Sequence, residues 1–393
     1  MATPTMSSAD LPAPERPRGL RRPLGFPVGE DAPGPVAVVL GTRPEAIKLA
    51  DVVRRLGGAG LLVHTGQHHD AAMWSDVTAQ LGFATTPLGL GVGGTSRGHQ
   101  LGAAVAALDA TFARHRPSCV VVQGDTTAAL AGALAANAAD LPLVHVEAGL
   151  RSFDRRTPEE HHRVTIDHLA DLCCAPTPAA VAHLRAEGIS DDRILLTGNT
   201  VVESVQQLLP AQEEQDRILA GLGIRGDHLL LTLHQPENVD NPAVLRQVLA
   251  ELRGVVAEGL QVVFPAHPRT LDRLRGNGLG DLLEAFTTIA PQPPAEFLTL
   301  LDRARLVVSD SGGVQEEVSV LKKRLLVLRR STERPEVLGT FATLVPGGLR
   351  LGAAVRSALA EDPRALLDVP SPYGDGSASR VIVESIVKLV APY

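Results

Sequence analysis

The chain has 393 residues, of which 44% are hydrophobic and 21% are charged, and its formal net charge at pH 7 is −7. This length exceeds what one compact core accommodates and predicts two domains of ordinary size. The acidic balance and an aromatic content of 3% argue against a general nucleic-acid binder, which needs basic surface and stacking platforms. No apolar stretch approaches the roughly 20 residues of a membrane span. We therefore expect neither nucleic acid nor a membrane as a partner.

The first 34 residues and the cysteines bear on where the protein works. Residues 1–34 are rich in proline and contain no apolar run, which predicts a disordered leader. Their arginines precede no apolar core of a secretory signal. Cys119, Cys173 and Cys174 have neither the pattern of a disulfide framework nor metal-ligand spacing. We therefore expect a cytoplasmic protein.

Apolar runs alternate with helical stretches from about residue 36 to residue 197. Continuous β-branched runs separated by helices are typical of parallel strands in an α/β sheet. Helices are predicted at 45–56 and 128–139. The predicted strands lie at 36–40, 61–63, 120–122, 143–146, 172–175 and 194–196.

A second alternation of the same kind begins after the charged stretch 213–217, with a helix predicted at 244–256. Its predicted strands lie at 229–231, 262–264, 288–289, 306–308 and 325–328. Two successive arrays predict an α/β protein with two doubly wound Rossmann-like domains that face a cleft. The predicted domains are residues 35–197 and residues 198–374. Residues 375–393 are predicted to form a last helix, at about 379–390, that packs back on the first domain.

Carboxylates follow two neighbouring strands of the first array. Asp125 comes after the strand at 120–122, Glu147 directly follows the strand at 143–146, and Glu159 and Glu160 come shortly afterwards. Ligands of parallel sheets bind beyond the carboxyl ends of the strands, so we expect Asp125 and Glu147 to face one crevice. Several acids in one crevice indicate proton-transfer chemistry. The alternative is that each acid caps a following helix.

Two strand ends carry the features of an anion site. Gly41 and Arg43 lead into a helix with Lys48 one turn inside, and the N–H groups and dipole of a helix N-terminus favour negative charge. In the second array, 311–313 (Ser-Gly-Gly) leads into a helix that carries Glu317. Small residues there suit a diphosphate, and Glu317 could accept hydrogen bonds from two ribose hydroxyls. The alternative is a serine N-cap with a tight turn.

Further polar residues follow strands of the second array. His234 and His267 each follow a strand, and Arg334 supplies a further cation. The glycine-rich segment 89–98 has no strand-to-helix context and is predicted to be a mobile loop rather than a phosphate cradle. No metal-ligand spacing occurs, and no Gly-x-Gly-x-x-Gly lies in the strand-to-helix context of a dinucleotide site, so we expect no metal and no dinucleotide cofactor. These residues predict a nucleotide diphosphate held by the second domain, with its sugar directed at the acids of the first.

Segments spread over nearly all of residues 36–390 resemble, in order, the bacterial and archaeal UDP-N-acetylglucosamine 2-epimerases. The matching segments are GTRPEAIK (41–48), TGQHHD (65–70), QGDTTAALAGALAA (123–136), HVEAGLRSFDRRTPEE (145–160), GNTVVE (198–203), LHQPENVDN (233–241), SDSGGVQEE (309–317), TERPE (332–336) and PYGDG (372–376). The resemblance implies a fold like that of glycogen phosphorylase and the GT-B glycosyltransferases. We also expect a homodimer, although the sequence itself does not give the oligomeric state.

The activity that the resemblance implies is reversible epimerisation of UDP-GlcNAc to UDP-ManNAc without metal or NAD. UDP leaves by anti elimination to give a 2-acetamidoglucal and then adds back with the opposite configuration at C2. Several carboxylates around one ring suit this chemistry because a proton leaves one face of C2 and another arrives on the opposite face. The catalytic residues implied are Asp125, Glu147, Glu159 and His234. The substrate-binding residues implied are Arg43, Lys48, His267, Ser311, Gly312, Gly313, Glu317 and Arg334.

The chain departs from the family's usual sequence most informatively at Gln235. The family commonly has His-Arg where this chain has His-Gln, and the replaced arginine resembles one that contacts a second, allosteric UDP-GlcNAc in non-hydrolysing members. Gln67 and His267 match other positions of that site. We therefore expect substrate activation to be weakened, unless a nearby cation such as Arg97 or Arg269 compensates.

Other functions remain open at the level of the sequence. A hydrolysing relative would release the free 2-epimerised sugar and UDP, and the lost arginine favours it. A GT-B glycosyltransferase would share the fold, but the acid cluster disfavours it. A catalytically silent nucleotide-sugar binding protein would not need Asp125, Glu147, Glu159 and His234, all of which are present.

Overall fold

The computed structural model describes residues 34–67, 81, 83, 87–94 and 96–391. Almost all of the predicted leader, and residues 68–70 of the TGQHHD segment, lie outside these ranges. The side chain of Arg269 also lies outside the described part of the chain.

In the described part of the chain, the first sheet has seven parallel strands in the order β3-β2-β1-β4-β5-β6-β7. Its strands are β1 (Val36–Leu40), β2 (Gly60–His64), β3 (Leu88–Gly89), β4 (Cys119–Gln123), β5 (Leu143–Val146), β6 (Leu172–Ala175) and β7 (Ile194–Leu196). Alternate residues of β1 enter two separate hydrophobic clusters, one on each face. A sheet covered on both faces requires the continuous apolar runs seen in the sequence.

The second sheet lies within residues 228–344 and has six parallel strands in the order β10-β9-β8-β11-β12-β13. Its strands are β8 (His228–Thr232), β9 (Gln261–Pro265), β10 (Thr287–Ile289), β11 (Ala304–Ser309), β12 (Leu325–Val327) and β13 (Ala342–Leu344). It too is covered on both faces, because Leu229 and Leu231 belong to one cluster and Leu230 to another.

Helices cover both sheets. In the described ranges they are α1 (Arg43–Leu56), α2 (Arg97–His115), α3 (Thr127–Ala138), α4 (Pro158–Leu169), α5 (Pro178–Ala186), α6 (Val201–Leu208), α7 (Gln212–Gly221), α8 (Pro236–Val239), α9 (Pro242–Ala257), α10 (Pro268–Gly276), α11 (Gly280–Leu283), α12 (Pro294–Arg303), α13 (Gly312–Leu321), α14 (Leu351–Ala360) and α15 (Ala378–Val390). The last helix packs against α1, and its Ile382 and Ile386 join the same cluster as Leu49.

The predicted α/β fold with two doubly wound parallel sheets is confirmed, and every predicted strand and helix is present with ends shifted by at most two residues. The loop predicted at 89–98 is wrong at both ends. Gly89 belongs to the short edge strand β3, and α2 already begins at Arg97. A two-residue strand leaves no apolar periodicity in the sequence, and glycine in a first helical turn resembles a loop residue. The edge strand β13 was not predicted either.

The strand order places a crevice at equivalent points of the two sheets. β1 lies between β2 and β4, and β8 lies between β9 and β11, so the winding direction reverses beside β1 and beside β8. Ligands of doubly wound sheets bind at such reversal points, beyond the carboxyl ends of the strands. The segments that leave β1, β4, β8 and β11 are therefore the ones that build the site.

Candidate active site

A cavity of about 1080 Å³ lies between the two sheets, at their carboxyl ends. This volume is ample for a nucleotide sugar, since typical ligand pockets measure roughly 300–1,000 Å³. Every catalytic and substrate-binding residue predicted from the sequence lines it. These are Arg43, Lys48, Asp125, Glu147, Glu159, His234, His267, Ser311, Gly312, Gly313, Glu317 and Arg334.

Glu147 is a carboxylate of the cavity wall that accepts hydrogen bonds from several side chains. It follows β5, and its backbone is left-handed with φ of 70°. Residues other than glycine are strained in this conformation. Lys48 Nζ lies 2.7 and 2.9 Å from its two oxygens. Gln123 and Asn199 donate to it through their side-chain amides. Although burial opposes ionisation, the charges of Lys48 and Arg334 hold the pKa of Glu147 well below its ordinary value.

Asp125 presents a more open carboxylate at the end of β4. Arg163 Nε donates to Asp125 Oδ2 over 2.8 Å, and the Asp125 side chain is 28% exposed. Within the described residues, Oδ2 alone of its two oxygens is paired, and Asp125 lines the cavity. The helix-capping alternative fails here, because Thr126 rather than Asp125 caps α3 by accepting from Ala129 N.

The neighbouring acids Glu159 and Glu160 have different environments. Glu160 is buried, accepts hydrogen bonds from the backbone of Ser152 and Phe153, and forms an ion pair with Arg163. It therefore fixes the loop before α4. Glu159 is exposed and lines the cavity. No hydrogen bond or ion pair joins it to the described residues, and its carboxylate is open to a ligand.

The N-terminus of α13 lines the opposite wall of the cavity. Ser311 occupies the N-cap position, but its hydroxyl makes no capping hydrogen bond within the described structure, so the serine-cap alternative fails. A side chain at position 312 would clash, because a Cβ there would lie 2.6 Å from Arg334 Nη1. Backbone N–H groups at this helix end have no partner within the helix and suit a phosphate.

Glu317 has an unpaired oxygen in this wall. Its Oε2 is buried and has no hydrogen-bond partner among the described residues. Burial raises the pKa of Glu317 to about 7, against the charges of Lys48 and Arg43. A buried acceptor without a donor is costly, and ligand hydroxyls would satisfy it.

His234 is held at its backbone by Asp310, and its ring Nδ1 lies 3.6 Å from Asp310 Oδ1. The buried carboxylate of Asp310 accepts from the backbone N–H groups of His234 (2.9 Å) and Gln235 (3.0 Å) and from Asn238 Nδ2. The His234 side chain is 52% exposed and lines the cavity. Gln235 lines it as well, as does Arg97, so the weakened activation stays a prediction.

Comparison with known proteins agrees with this geometry. The sequence profile of the family described as UDP-N-acetylglucosamine 2-epimerase matches residues 59–387. The chain belongs to this family. A UDP-N-acetylglucosamine 2-epimerase from Methanocaldococcus jannaschii is 38% identical over 322 residues, which is 79% of this chain and 88% of the relative.

Two further similarities bear on the family and on its range of substrates. The crystal structure of the Methanocaldococcus jannaschii UDP-GlcNAc 2-epimerase in complex with UDP-GlcNAc and UDP superimposes with a TM-score of 0.83 at 36% identity, covering 90% of this chain and 99% of that one. A UDP-2,3-diacetamido-2,3-dideoxy-D-glucuronate 2-epimerase from Pseudomonas aeruginosa is 34% identical over 360 residues, which is 90% of this chain and 99% of the relative.

A group of residues without any predicted role connects the two walls of the cavity in this family member. Glu316 lies 2.6 Å from Lys48 Nζ through Oε2, and its Oε1 accepts from Arg334 Nε over 2.6 Å. Glu333 lies among Arg163, Arg329 and Arg334, and these charges lower the pKa of Glu333 to about 2 against its burial. Such contacts join distant parts of the chain and leave no local pattern in the sequence.

Arg334 was predicted to bind substrate, and in the structure it contacts three carboxylates. Its guanidinium pairs with Glu316 and Glu333, and Arg334 Nη2 lies 3.4 Å from Glu147 Oε1. A single arginine thus joins both walls of the cavity. Among the residues the structure describes, no group of three or more His, Cys, Asp or Glu side chains is arranged to hold a metal ion.

Proposed function

We propose that the protein interconverts UDP-GlcNAc and UDP-ManNAc by inversion at C2. The proposal rests on the composition of one cavity in a member of this family. Carboxylates that follow strands of the first sheet lie across this cavity from the N-terminus of α13. The helix end and Glu317 suit a nucleoside diphosphate, and the carboxylates suit proton transfer at a sugar.

The proposed reaction has two steps with a neutral intermediate. A carboxylate removes the C2 proton as the C1–O bond breaks, and the bonding electrons leave with the diphosphate oxygen. This gives a 2-acetamidoglucal and UDP. The diphosphate oxygen then bonds to C1 again while a proton reaches C2 from the opposite face. Because the two protons use opposite faces, two separate carboxyl groups are needed.

We assign the proton transfers to Asp125 and Glu159 and an electrostatic role to Glu147. Asp125 and Glu159 have oxygens open to the cavity, whereas both oxygens of Glu147 accept from Lys48. A low pKa and occupied lone pairs make a poor base, but they hold the Lys48 ammonium in place. Ser311, Gly312, Gly313 and Glu317 are assigned to UDP, together with Arg43, whose Nη2 donates to Gln292 O across the cleft over 2.7 Å. His234 is assigned to the departing diphosphate.

The relative from Pseudomonas aeruginosa makes a second UDP-sugar worth testing. Its name specifies UDP-2,3-diacetamido-2,3-dideoxy-D-glucuronate, and it matches this chain over 90% of its length. Purified protein is incubated separately with this compound and with UDP-GlcNAc, and the products are identified by ³¹P and ¹H NMR. UDP-ManNAc is the expected product. Turnover of the diacetamido sugar alone would reassign the substrate, and free sugar with UDP would reassign the reaction to hydrolysis.

We propose that the protein acts as a cytoplasmic homodimer. Its three cysteines are free and buried, as suits a reducing compartment. In the described residues, no helix combines the length and apolarity needed to cross a bilayer. Sedimentation equilibrium tests the assembly, with twice the chain mass of 41.3 kDa expected and the mass of a single chain contradicting it.

A further inference from the structure

A buried polar network lies behind Asp125 and takes no part in the chemistry proposed above. His145, in β5, is 0% exposed. Its Nε2 lies 2.8 Å from the carbonyl oxygen of Gly124, and its Nδ1 lies 2.6 Å from Asp167 Oδ1 in α4. Asp167 Oδ2 accepts in turn from Arg151 Nη2 over 2.7 Å and from Gly149 N over 3.1 Å.

The partners of His145 fix the protons on its ring. A carbonyl oxygen only accepts, so Nε2 must carry a proton and donate it to Gly124. Asp167 already accepts from a guanidinium and a backbone N–H. Although burial opposes ionisation, His145 and Arg151 lower the pKa of Asp167. The Asp167 carboxylate therefore pairs with Nδ1 and fixes the orientation of the His145 ring.

Gly124 is the residue that connects β4 to Asp125. It has φ of 69°, a conformation that glycine adopts without strain. Its N–H donates to Val146 O over 3.0 Å, and its carbonyl accepts from His145. The next carbonyl, that of Asp125 itself, accepts from His162 Nδ1 over 2.7 Å. Both carbonyls of this turn are therefore held by imidazole rings.

We propose that His145 is a positioning residue for Asp125: its Nε2–H fixes the Gly124 carbonyl and thereby the direction in which the Asp125 carboxylate enters the cavity. Asp167, itself held by Arg151, orients the ring. The proposal rests on the proposed function, in which Asp125 exchanges a proton with the sugar. Small errors in the position of a reacting group are costly, since a displacement of about 1 Å can cost about 100-fold in rate.

The second sheet offers a matched control for a merely structural role. His228, in β8, is also 0% exposed, and its Nε2 lies 2.9 Å from the carbonyl oxygen of Leu300. Neither residue lines the cavity. Replacing His228 by asparagine removes the same type of buried hydrogen bond without touching the site.

Two substitutions of His145 separate its two hydrogen bonds. In His145→Asn the amide nitrogen takes the place of Nδ1, so the bond to Asp167 is kept and the bond to Gly124 is lost. In His145→Gln the amide nitrogen reaches the place of Nε2, so the donor to Gly124 is kept. Each variant and His228→Asn are characterised by thermal melting, by UDP binding in calorimetry, and by kcat and KM for the UDP-sugar.

We expect His145→Asn to lower kcat by about 10- to 100-fold with KM and UDP affinity unchanged. His145→Gln should stay within about fivefold of the wild type, and His228→Asn should keep full kcat despite a similar loss of melting temperature. An equal kcat in His145→Asn and His228→Asn would overturn the proposal. So would a His145→Gln variant as slow as His145→Asn, because the Gly124 bond would then not decide the rate.

Asp167→Asn decides the matter if His145→Asn does not fold. An asparagine can donate to an unprotonated Nδ1, which leaves Nε2–H on Gly124, so kcat should stay within about fivefold of the wild type, and a loss of tenfold or more would overturn the proposal. Turnover by the wild type distinguishes a failure of the proposed function from a failure of the proposed role of His145. A wild type that turns over no UDP-sugar contradicts the proposed function, whereas a normal wild type with a fully active His145→Asn variant contradicts this proposal alone.

Discussion

Two glutamates from opposite walls of the cavity approach the same ammonium group, yet their environments favour opposite protonation states. Glu147 and Glu316 both lie within 2.7 Å of Lys48 Nζ and both are buried. The pKa of Glu147 is lowered, whereas burial and the neighbouring Glu147 raise the pKa of Glu316 to about 8. The side-chain amides of Gln123 and Asn199 donate to Glu147 alone. Because both carboxyl groups are buried, the additional donors at Glu147 favour ionisation of Glu147 over Glu316.

A wider difference separates the two walls of the cavity. The wall beside the first sheet supplies carboxylates that are ion-paired or open to the cavity, and the wall beside the second sheet supplies a helix N-terminus and the unpaired Oε2 of Glu317. The first set suits proton transfer and the second suits a nucleotide. Substitutions in the first wall should therefore change turnover, and substitutions in the second should change UDP affinity.

The largest effect is expected from the first wall. Asp125→Asn and Glu147→Gln should each lower kcat by about 100-fold or more, the scale of a lost acid–base or charge-stabilising group. Calorimetric UDP affinity should change little, because neither residue contacts the α13 N-terminus. Near-normal kcat in either variant would remove that residue from the mechanism.

Substitutions in the second wall should show the converse. Ser311→Ala and Glu317→Ala should each weaken UDP binding by about 1–3 kcal/mol, the usual consequence of losing a hydrogen bond to a charged or buried group. Ser319→Ala is a matched control, because Ser319 lies on the same helix, is buried and does not line the cavity. Unchanged UDP affinity in both Ser311→Ala and Glu317→Ala would place the nucleotide elsewhere.

Glu317 should also give UDP binding a pH dependence of moderate size. Its pKa is raised to about 7 in the free protein, and the ionised form is the better acceptor for ribose hydroxyls. UDP affinity should therefore rise by about fivefold to tenfold from pH 6 to pH 8. Glu317→Gln measures the contribution of the phosphate's own ionisation, and an equal rise in this variant would exclude Glu317 as the source.

The same raised pKa makes a prediction about folding. The folded state binds the Glu317 proton more tightly than the unfolded state, whose pKa is near 4.5. This residue's contribution to the free energy of unfolding is therefore present below about pH 4.5 and is lost as the pH rises to about 7. Urea unfolding of the wild type and of Glu317→Gln across this range should show a wild-type stability that falls relative to the variant. A constant difference would contradict the shift.

The smallest effect is expected for Glu316→Gln. A glutamine resembles the protonated carboxyl group that the raised pKa of Glu316 favours, so kcat at pH 7 should fall by less than about threefold. A comparison of Glu316→Gln with Glu147→Gln tests whether kcat depends on the ionised Glu147 more than on Glu316, as their environments indicate. Equal losses in the two variants would show that Lys48 needs both carboxylates ionised.

The sequence was sufficient to predict features that depend on local pattern. Continuous apolar runs predicted the parallel strands, and the acids Asp125 and Glu147 were found because each follows one of those runs. The serine and glycines before α13 were recognisable for the same reason. Their roles stay predictions, although all these residues line one cavity.

Features that depend on contact between distant segments could not be predicted. Nothing near Glu316 in the sequence indicates Lys48, and the sequence pattern of His145 is only that of a buried strand residue. Asn199 reaches Glu147 from the segment between β7 and α6, which no periodicity predicts. The exposure of Glu159 beside the buried Glu160 also depended on how α4 packs. These residues set the protonation of the site, so its electrostatics required the structure.

The most direct test of the proposed chemistry is the fate of the C2 proton. The wild-type protein is incubated with UDP-GlcNAc in D₂O, and C1 and C2 of all sugars are followed by ¹H NMR. Removal and return of a proton by carboxyl groups in the cavity predicts deuterium at C2 of UDP-ManNAc and, as equilibrium is approached, of recovered UDP-GlcNAc. UDP-ManNAc that keeps protium at C2, or UDP-GlcNAc that remains unchanged, would contradict it.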